Sequence, residues 1–309
     1  MPTLKEIKGR IASVKNTLKI TSAMKLVSSA KLRKAQSAIE AMRPYEEALQ
    51  GILAAVSSGN MTQNPDSGLP WGVPSGIKGE NPEGLMPDAN RESRPTAIIA
   101  MASNSSLCGS FNANVIAKLR SVRKPGDVVY SVGRKMADAM RRDGFPSPED
   151  FNALAERPAY APAAALVEKL AHDVEEGRYA RVLLVYTHFA STARQVPVVE
   201  VLLEGTPGLS DHGTANSASV VPDVSSEDIL IEPGRKELLE SLLPKTLKLK
   251  LYAALLDSAA AEHAARTVAM QMATDNGENL LQELTLQYNK GRQQKITAEI
   301  LDLAGGQME

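Results

Sequence analysis

Residues 249–284 read LKLYAALLDSAAAEHAARTVAMQMATDNGENLLQEL, and the spacing of small and apolar positions in this stretch decides the fold. Leu249, Tyr252, Leu256, Ala259, His263, Arg266, Met270, Ala273, Gly277, Leu280 and Leu284 follow one another at alternating steps of three and four. A mean step of 3.5 residues sustained this far is the pattern of a helix lying along another helix. The seam is odd in its middle, where His263, Arg266, Ala273 and Gly277 stand in place of Leu or Ile. At ~1.5 Å per residue a helix from Pro244 to Leu303 would be about 90 Å long, roughly twice the width of a domain of this size. Such a helix must project.

The other end of the chain supplies a candidate partner. Leu4, Ile7, Ile11, Val14 and Leu18 keep the same spacing. The stripe stumbles between Ile20 and Met24 and resumes through Leu32, Ala35, Ile39, Met42, Tyr45, Leu49, Ile52 and Val56. A stumble of this kind changes the local supercoil without ending the helix. Thr3 followed by Glu6 is a capping-box arrangement. Pro44 lacks a backbone donor and crowds the preceding turn, so a kink or restart is expected there. Helices at opposite ends of the sequence pair antiparallel if the chain between them folds back.

That intervening chain has two characters. Residues 58–94 are rich in Gly and Pro, show no apolar period and include Trp71; they read as a long loop or flexible insertion. Residues 95–227 read as an α/β head. Strand patterns at 96–102, 128–131, 181–186 and 195–203 alternate with helical ones at 112–123, 134–142 and 163–176. This alternation implies a mostly parallel, Rossmann-like sheet. Residues 209–226 read as loop, and residues 228–309 as a short extended lead-in followed by a helix that restarts at Pro244. The fold class is therefore an α/β head inserted between the N-terminal helix, residues 1–57, and the C-terminal helix of a long antiparallel coiled coil.

Composition narrows the function. The chain has 309 residues, a net charge of −1 and one cysteine, Cys108, which excludes an internal disulfide framework. No apolar run approaches the roughly 20 residues of a membrane span, and Lys5, Glu6, Lys8 and Arg10 break any signal-peptide pattern. The charge is segregated: residues 1–35 carry nine Lys/Arg against one acid, while residues 257–309 carry four basic and eight acidic residues. Attraction between the ends, or steering toward an acidic partner, would follow. The basic segment lacks aromatic residues for stacking, which argues against nucleic acid.

Catalytic and cofactor machinery is hard to find. Neither G-x-G-x-x-G nor G-x-x-x-x-G-K-[ST] occurs. Ser131-Val-Gly-Arg-Lys could hold an anion at a helix start, though a structural turn is the better reading. His172, His188, His212 and His263 show no metal-ligand spacing with one another or with Cys108. Cys108 beside Gly109 suits a packed turn better than a nucleophile, and Glu175-Glu176 reads as a solvated helix end. No cofactor, metal or catalytic residue is expected.

The chain resembles one family in particular. Leu4-Lys-Glu-Ile-Lys-Gly-Arg-Ile-Ala-Ser-Val-Lys-Asn-Thr, Lys19-Ile-Thr-Ser-Ala-Met-Lys-Leu-Val, Lys31-Leu-Arg-Lys and Arg43-Pro-Tyr are similar to the opening of F-type ATP synthase gamma subunits. Glu262-His-Ala-Ala-Arg, Ala269-Met-Gln-Met-Ala-Thr-Asp-Asn, Leu284-Thr-Leu-Gln-Tyr-Asn-Lys and Arg292-Gln-Gln-Lys-Ile-Thr-Ala-Glu-Ile resemble their far end, and Leu107-Cys-Gly with Phe111-Asn their head. The resemblance implies a non-catalytic rotor shaft of a proton-translocating synthase. It would couple rotation of the membrane c ring to conformational cycling of the catalytic beta subunits, and would regulate ATPase activity and proton flow. The implied partners are three alpha and three beta subunits, the epsilon and delta subunits and the c ring. The implied location is the cytoplasmic side of a bacterial inner membrane, peripherally bound.

By the same resemblance, Met24, Lys25, Asn289, Lys290, Arg292 and Gln293 match positions that contact the alpha and beta subunits, with Met24 and Lys25 facing the same zone as the C-terminal tip. Arg43, Tyr45, Ile229, Ile231 and Glu232 match the base, near the c ring and epsilon. A shaft turning in a sleeve should lack a deep apolar outer surface. Three departures stand out: Asn104-Ser105-Ser106 replaces an acidic-basic-glycine triplet, Ser22 replaces a commonly basic residue, and the 58–94 insertion is long. With Cys108 alone, thiol control of the photosynthetic kind is not expected. The rival is a free-standing coiled-coil adaptor whose head binds a ligand.

Overall fold

The computed structural model describes residues 3–58, 94–204 and 234–305. Two helices dominate: α1, Leu4–Ser58, and α6, Arg235–Gly305, the latter 71 residues long. At ~1.5 Å per residue α6 spans roughly 105 Å. The pair is antiparallel with a fixed register. Leu4 faces Gly291, and Leu18 faces Gly277, an equal number of residues forward on one helix and back on the other. The hydroxyls of Thr21 and Thr274 lie 3.0 Å apart between the helices. At the start of α1 the capping box forms in both directions: Thr3 N donates to Glu6 Oε2 at 3.0 Å and Glu6 N to Thr3 Oγ1 at 3.3 Å.

The packed line of α1 is more regular than its apolar residues suggest. Leu4, Ile7, Ile11, Val14, Leu18, Thr21, Lys25, Ser28, Leu32, Ala35, Ile39, Met42, Glu46, Leu49 and Leu53 are all buried or half-buried, at unbroken steps of three and four. The expected stumble is thus a change of chemistry within one continuous period, with Thr21, Lys25 and Ser28 in seam positions. Beyond Pro44 the expected line was partly one residue out. Leu49 faces inward as expected, but Tyr45 and Ile52 are exposed at 57% and 47%, and Glu46 and Leu53 take their places. The side chain of Val56 lies outside the described residues. On α6 the line past Met270 runs through Thr274, Gly277, Leu281, Leu284, Tyr288 and Gly291, while Leu280 points outward.

Neither proline ends its helix. α1 is continuous through Pro44, and α6 starts at Arg235 and passes through Pro244 where a restart was expected. Each proline removes one backbone hydrogen bond. Each sits among packed residues of its helix: half-buried Met42 and Glu46 lie beside Pro44, and buried Leu243 and Leu247 beside Pro244.

The head is a four-stranded sheet of order β2-β1-β3-β4. It comprises β1 Ala97–Met101, α2 Phe111–Val122, β2 Val128–Val132, α3 Arg134–Arg142, α4 Asn152–Glu156, α5 Tyr160–Glu175, β3 Arg181–Phe189 and β4 Gln195–Glu204. The short α4 was not anticipated. β1 pairs parallel with β2 and β3, but β4 is antiparallel to β3, joined to it by a short loop, so the sheet is mixed. α2 and α3 cover one face, over Ile98, Ala100, Val129 and Val185. The other face packs on α5 and on Leu247, Leu251, Ala254 and Leu255 of α6. Contacts along α6 set the direction: Lys248 meets Glu168 of α5, Asp257 meets His188 and Phe189 at the end of β3, and Arg266 meets Ser105 beyond β1. The three parallel strands, β1, β2 and β3, therefore point their C-terminal ends toward the free tip of α6.

A Cβ at Gly277 would lie 2.7 Å from Leu18 Cδ2. We expect Gly277→Val to cost about 1–3 kcal/mol through forced separation of the helices, read as a lowered midpoint of thermal unfolding. Pairing it with Leu18→Ala should recover part of that loss. Equal losses with and without Leu18→Ala would refute the close approach.

Candidate functional site

Three regions of the coil carry the expected contact residues. The tip begins where α1 ends: Leu4 lies against Gly291, and residues 292–305 of α6 have no helix beside them among the described residues, a length of about 20 Å. Asn289, Lys290, Arg292 and Gln293 are all exposed here. So are large apolar side chains that the sequence reading missed: Leu286 at 70%, Ile296 at 47%, Ile300 at 59% and Leu301 at 65%. Their spacing gave the signal, since Ile296 and Ile300 are one helical turn apart past the point where the partner stripe has run out. The outer surface was expected to lack a deep apolar interface; at the tip these side chains nonetheless stand exposed.

The second region is the neck. Thr21 lies opposite Thr274, so Lys25 sits level with about Met270, some twenty residues or roughly 30 Å from Lys290. The structure does not bring Met24 and Lys25 together with the tip residues, and both are half-buried. Around this level Ile20, Leu26, Val27 and Met272 are exposed on the coil. Leu107, exposed at 56% with φ +68°, projects from the head turn whose Gly109 lies against Ala269. At the base, Arg43 pairs with Glu47 at 2.9 Å and Tyr45 is exposed. Ile229, Ile231 and Glu232 lie outside the described residues.

The neck is tied to the head by a buried ionic latch. Glu262 and Arg266, each only 8% exposed, pair at 2.8 Å on α6. Arg266 Nη2 also donates to Ser105 Oγ at 2.8 Å, so the replaced triplet still engages the coil, through a hydroxyl. Burial raises the Glu262 carboxyl, opposed by Arg266 and by Lys31 of α1. His263 is held neutral: burial, Arg266 and Lys31 lower its pKa to about 4, and Arg266 Nη1 approaches its Nδ1 at 3.4 Å. The turn itself is fixed from within. Asn112 Nδ2 donates to Cys108 Sγ at 3.1 Å, and Asn104 Nδ2 to Asn152 O at 2.8 Å.

The candidates for chemistry take structural positions. Arg134 N, at the start of α3, donates to Asn104 Oδ1 at 2.9 Å. A Cβ at Gly133 would fall 2.1 Å from Ala102 O, so this glycine serves a close backbone approach. Cys108 is buried, and Glu176 pairs with His172 and Arg178. A depression of about 130 Å³ between α5 and α6, lined by Val167, Ala171, Pro244 and Leu247, is smaller than the roughly 300–1,000 Å³ typical of small-molecule sites. Among the described residues no helix is long and apolar enough to cross a membrane.

A sequence model of the ATP synthase family matches residues 3–308. The chain is 43% identical to an ATP synthase gamma chain of Phocaeicola vulgatus over 316 aligned positions, covering 100% of both chains. It is 42% identical to that of Bacteroides thetaiotaomicron, again covering 100% of each. In solved structures its fold is similar to a chain of the Euglena gracilis mitochondrial ATP synthase rotor, at a TM-score of 0.64 and 19% identity, covering 95% of this chain and 98% of that one.

The latch yields a signed pH dependence. A histidine lowered from 6.5 to about 4 on folding contributes stability that is complete above pH 6.5 and is lost as pH falls toward 4. Glu262, raised on folding, acts in the opposite sense above its usual pKa of 4.5. Comparing wild type with His263→Asn isolates the histidine. The wild type should lose stability between pH 6.5 and about 4 relative to the variant, and parallel curves would refute the assignment. Arg266→Ala, which strands a buried carboxylate, should cost about 3–5 kcal/mol at neutral pH, measured by denaturant unfolding.

Proposed function

This chain belongs to the ATP synthase gamma chain family, and from that premise we propose that it is the non-catalytic rotor shaft of a bacterial, proton-translocating F-type synthase. The observation that carries the reading is the coil itself, a fixed-register pair of helices whose longer member overhangs by residues 292–305 and presents Ile296, Ile300 and Leu301 to solvent. Exposed apolar side chains grouped in this way mark a surface that a partner covers. The alpha and beta subunits, three of each, are the proposed enclosure. The base, with Arg43 and Tyr45, meets the c ring and the epsilon subunit, and the delta subunit completes the assembly. The chain sits peripherally on the cytoplasmic side of the inner membrane.

Coupling follows from shape. The shaft is asymmetric, with a head on one side of α6 and α1 on another, so each step of rotation presents a different surface to each surrounding beta subunit. Met24 and Lys25 at the neck and Asn289, Lys290, Arg292 and Gln293 at the tip act on two levels of that enclosure. Arg292 and Gln293 offer charge-assisted hydrogen bonds to carboxylates. Regulation of ATP hydrolysis and proton flow would come through the same contacts. The reading of residues 58–94 as an insertion, 95–227 as head and 228–309 as C-terminal arm is part of this proposal.

Purification of the native complex should return this chain with alpha and beta subunits at one copy per three of each. A stable monomer or homodimer that binds nucleotide would favour the adaptor reading. Within the complex, Arg292→Ala combined with Gln293→Ala should reduce coupled ATP synthesis while leaving subunit composition intact. Unchanged synthesis would remove both residues from the coupling contact.

A further inference from the structure

The face of the head turned away from the coil carries a concentration of positive charge that the rotor reading does not use. Between Lys118 and Asp143 there are eight Lys/Arg and three Asp. These residues belong to α2, α3 and the connections beside them, the layer that covers the sheet face opposite α5 and α6. Arg120 forms a bidentate pair with Asp143 at 2.8 Å, and Arg141 pairs with Asp138 at 3.4 Å. Lys118, Lys124, Arg134, Lys135 and Arg142 form no ion pair among the described residues. Lys124, Arg134 and Arg142 are exposed.

The chemistry of this face favours one kind of partner. Protein interfaces are anchored by Trp, Tyr and Arg set in a well-packed, more apolar centre. Every exposed large apolar residue among those described lies elsewhere, on α1, α6, Leu107 or Tyr160. A face with cations and no apolar anchor suits a contact made by charge alone. The direction of the helices adds to this. The parallel strands run toward the tip, so α2 and α3 run back toward the base and end there at Arg120, Arg123, Arg141 and Arg142. Arg123 is held over the Phe145 ring at 3.6 Å. Part of this clustering serves the negative ends of the helix dipoles, but Lys118, Arg134 and Lys135 lie outside the last turns.

We propose that the α2–α3 face of the head is an electrostatic contact for anionic phospholipid headgroups, drawing the base of the chain to the membrane surface. The membrane-ward direction rests on the rotor reading; the lipid chemistry does not. Attraction of this kind amounts to about fivefold in affinity per cation near an anionic surface and fades beyond a Debye length of ~8–10 Å.

The test is co-sedimentation of the full chain with vesicles of phosphatidylcholine alone or with about one third phosphatidylglycerol. Because α1 is also basic, two variants are compared: K118Q/K124Q/R142Q on the head and K8Q/K15Q/K19Q on α1. Circular dichroism would verify that both remain folded. The expected result is binding to the anionic vesicles only, weakened by salt and weakened at least tenfold more by the head variant than by the α1 variant. Equal binding by wild type and the head variant, or loss confined to the α1 variant, would overturn the proposal. Retention on immobilised polyglutamate without vesicle binding would overturn it in favour of an acidic protein partner. Co-purification with alpha and beta subunits is a separate readout, so a vesicle failure leaves the rotor reading untouched.

Discussion

The structure depends on how closely α1 can approach α6. Leu18 and Leu4 lie against the glycines of α6, where no side chain intervenes, and Leu32 packs against Ala260 and Ala264. Glycine costs helix propensity, about 1 kcal/mol relative to alanine, and that cost is recovered only if the facing leucines fill the space. The same constraint explains the run of alanine in the middle of α6. Ala260 and Ala264 face α1 while Ala261 and Ala265 pack beneath Cys108 and Phe111 of the head. This part of the helix is enclosed on two sides at once, so it has no fully exposed face and little room for bulk between α1 and the head. Residues that look weak for a coiled coil are those a three-body junction requires.

Polar groups then fix what small residues leave loose. A seam of Ala and Gly can slide by a turn at modest cost, because one shallow hole resembles the next. The Thr21 and Thr274 hydroxyls meet in only one register, each also within reach of a carbonyl of its own helix. Arg266 adds a second constraint by spending one charge on three neighbours, Glu262, His263 and Ser105. Burial of that pair costs desolvation, and what it secures is orientation: the head's first turn cannot rotate about α6 without breaking the hydrogen bond from Arg266 to Ser105 and leaving a buried guanidinium one acceptor short. The strained backbone of Leu107 is held within this turn.

The long-range architecture was legible because it rests on periodicity, which sequence carries directly. Both helices, the capping box at Thr3 and the alternation of strands and helices in the head were readable for that reason. What was not legible depends on tertiary context. Apolar character alone selected Tyr45 and Ile52 for the seam, whereas strict continuation of the three-four step through Thr21, Lys25 and Ser28 leads to Glu46, Leu49 and Leu53. Pro44 and Pro244 read as breaks because local propensity cannot see the tertiary packing on either side of them. The antiparallel β4 has the same strand pattern as a parallel one. The neck and tip were predicted as one zone because sequence motifs carry no axial distance.

The exposed surfaces now divide by the physics of what could cover them. Ile296, Ile300 and Leu301 on the tip would each gain about 1.5–3 kcal/mol from burial, so a contact there is short-ranged, needs shape complementarity and is little affected by salt. The cations of the head's outer face gain nothing from dehydration without a counter-charge, so a contact there is long-ranged, salt-sensitive and tolerant of sliding. A shaft has use for both kinds. The end that must transmit a conformational signal needs a partner that follows its shape, and the side that sweeps past a surface needs attraction without registration. That difference in range, written in which residues are apolar and which are charged, sets the tip apart from the outer face of the head.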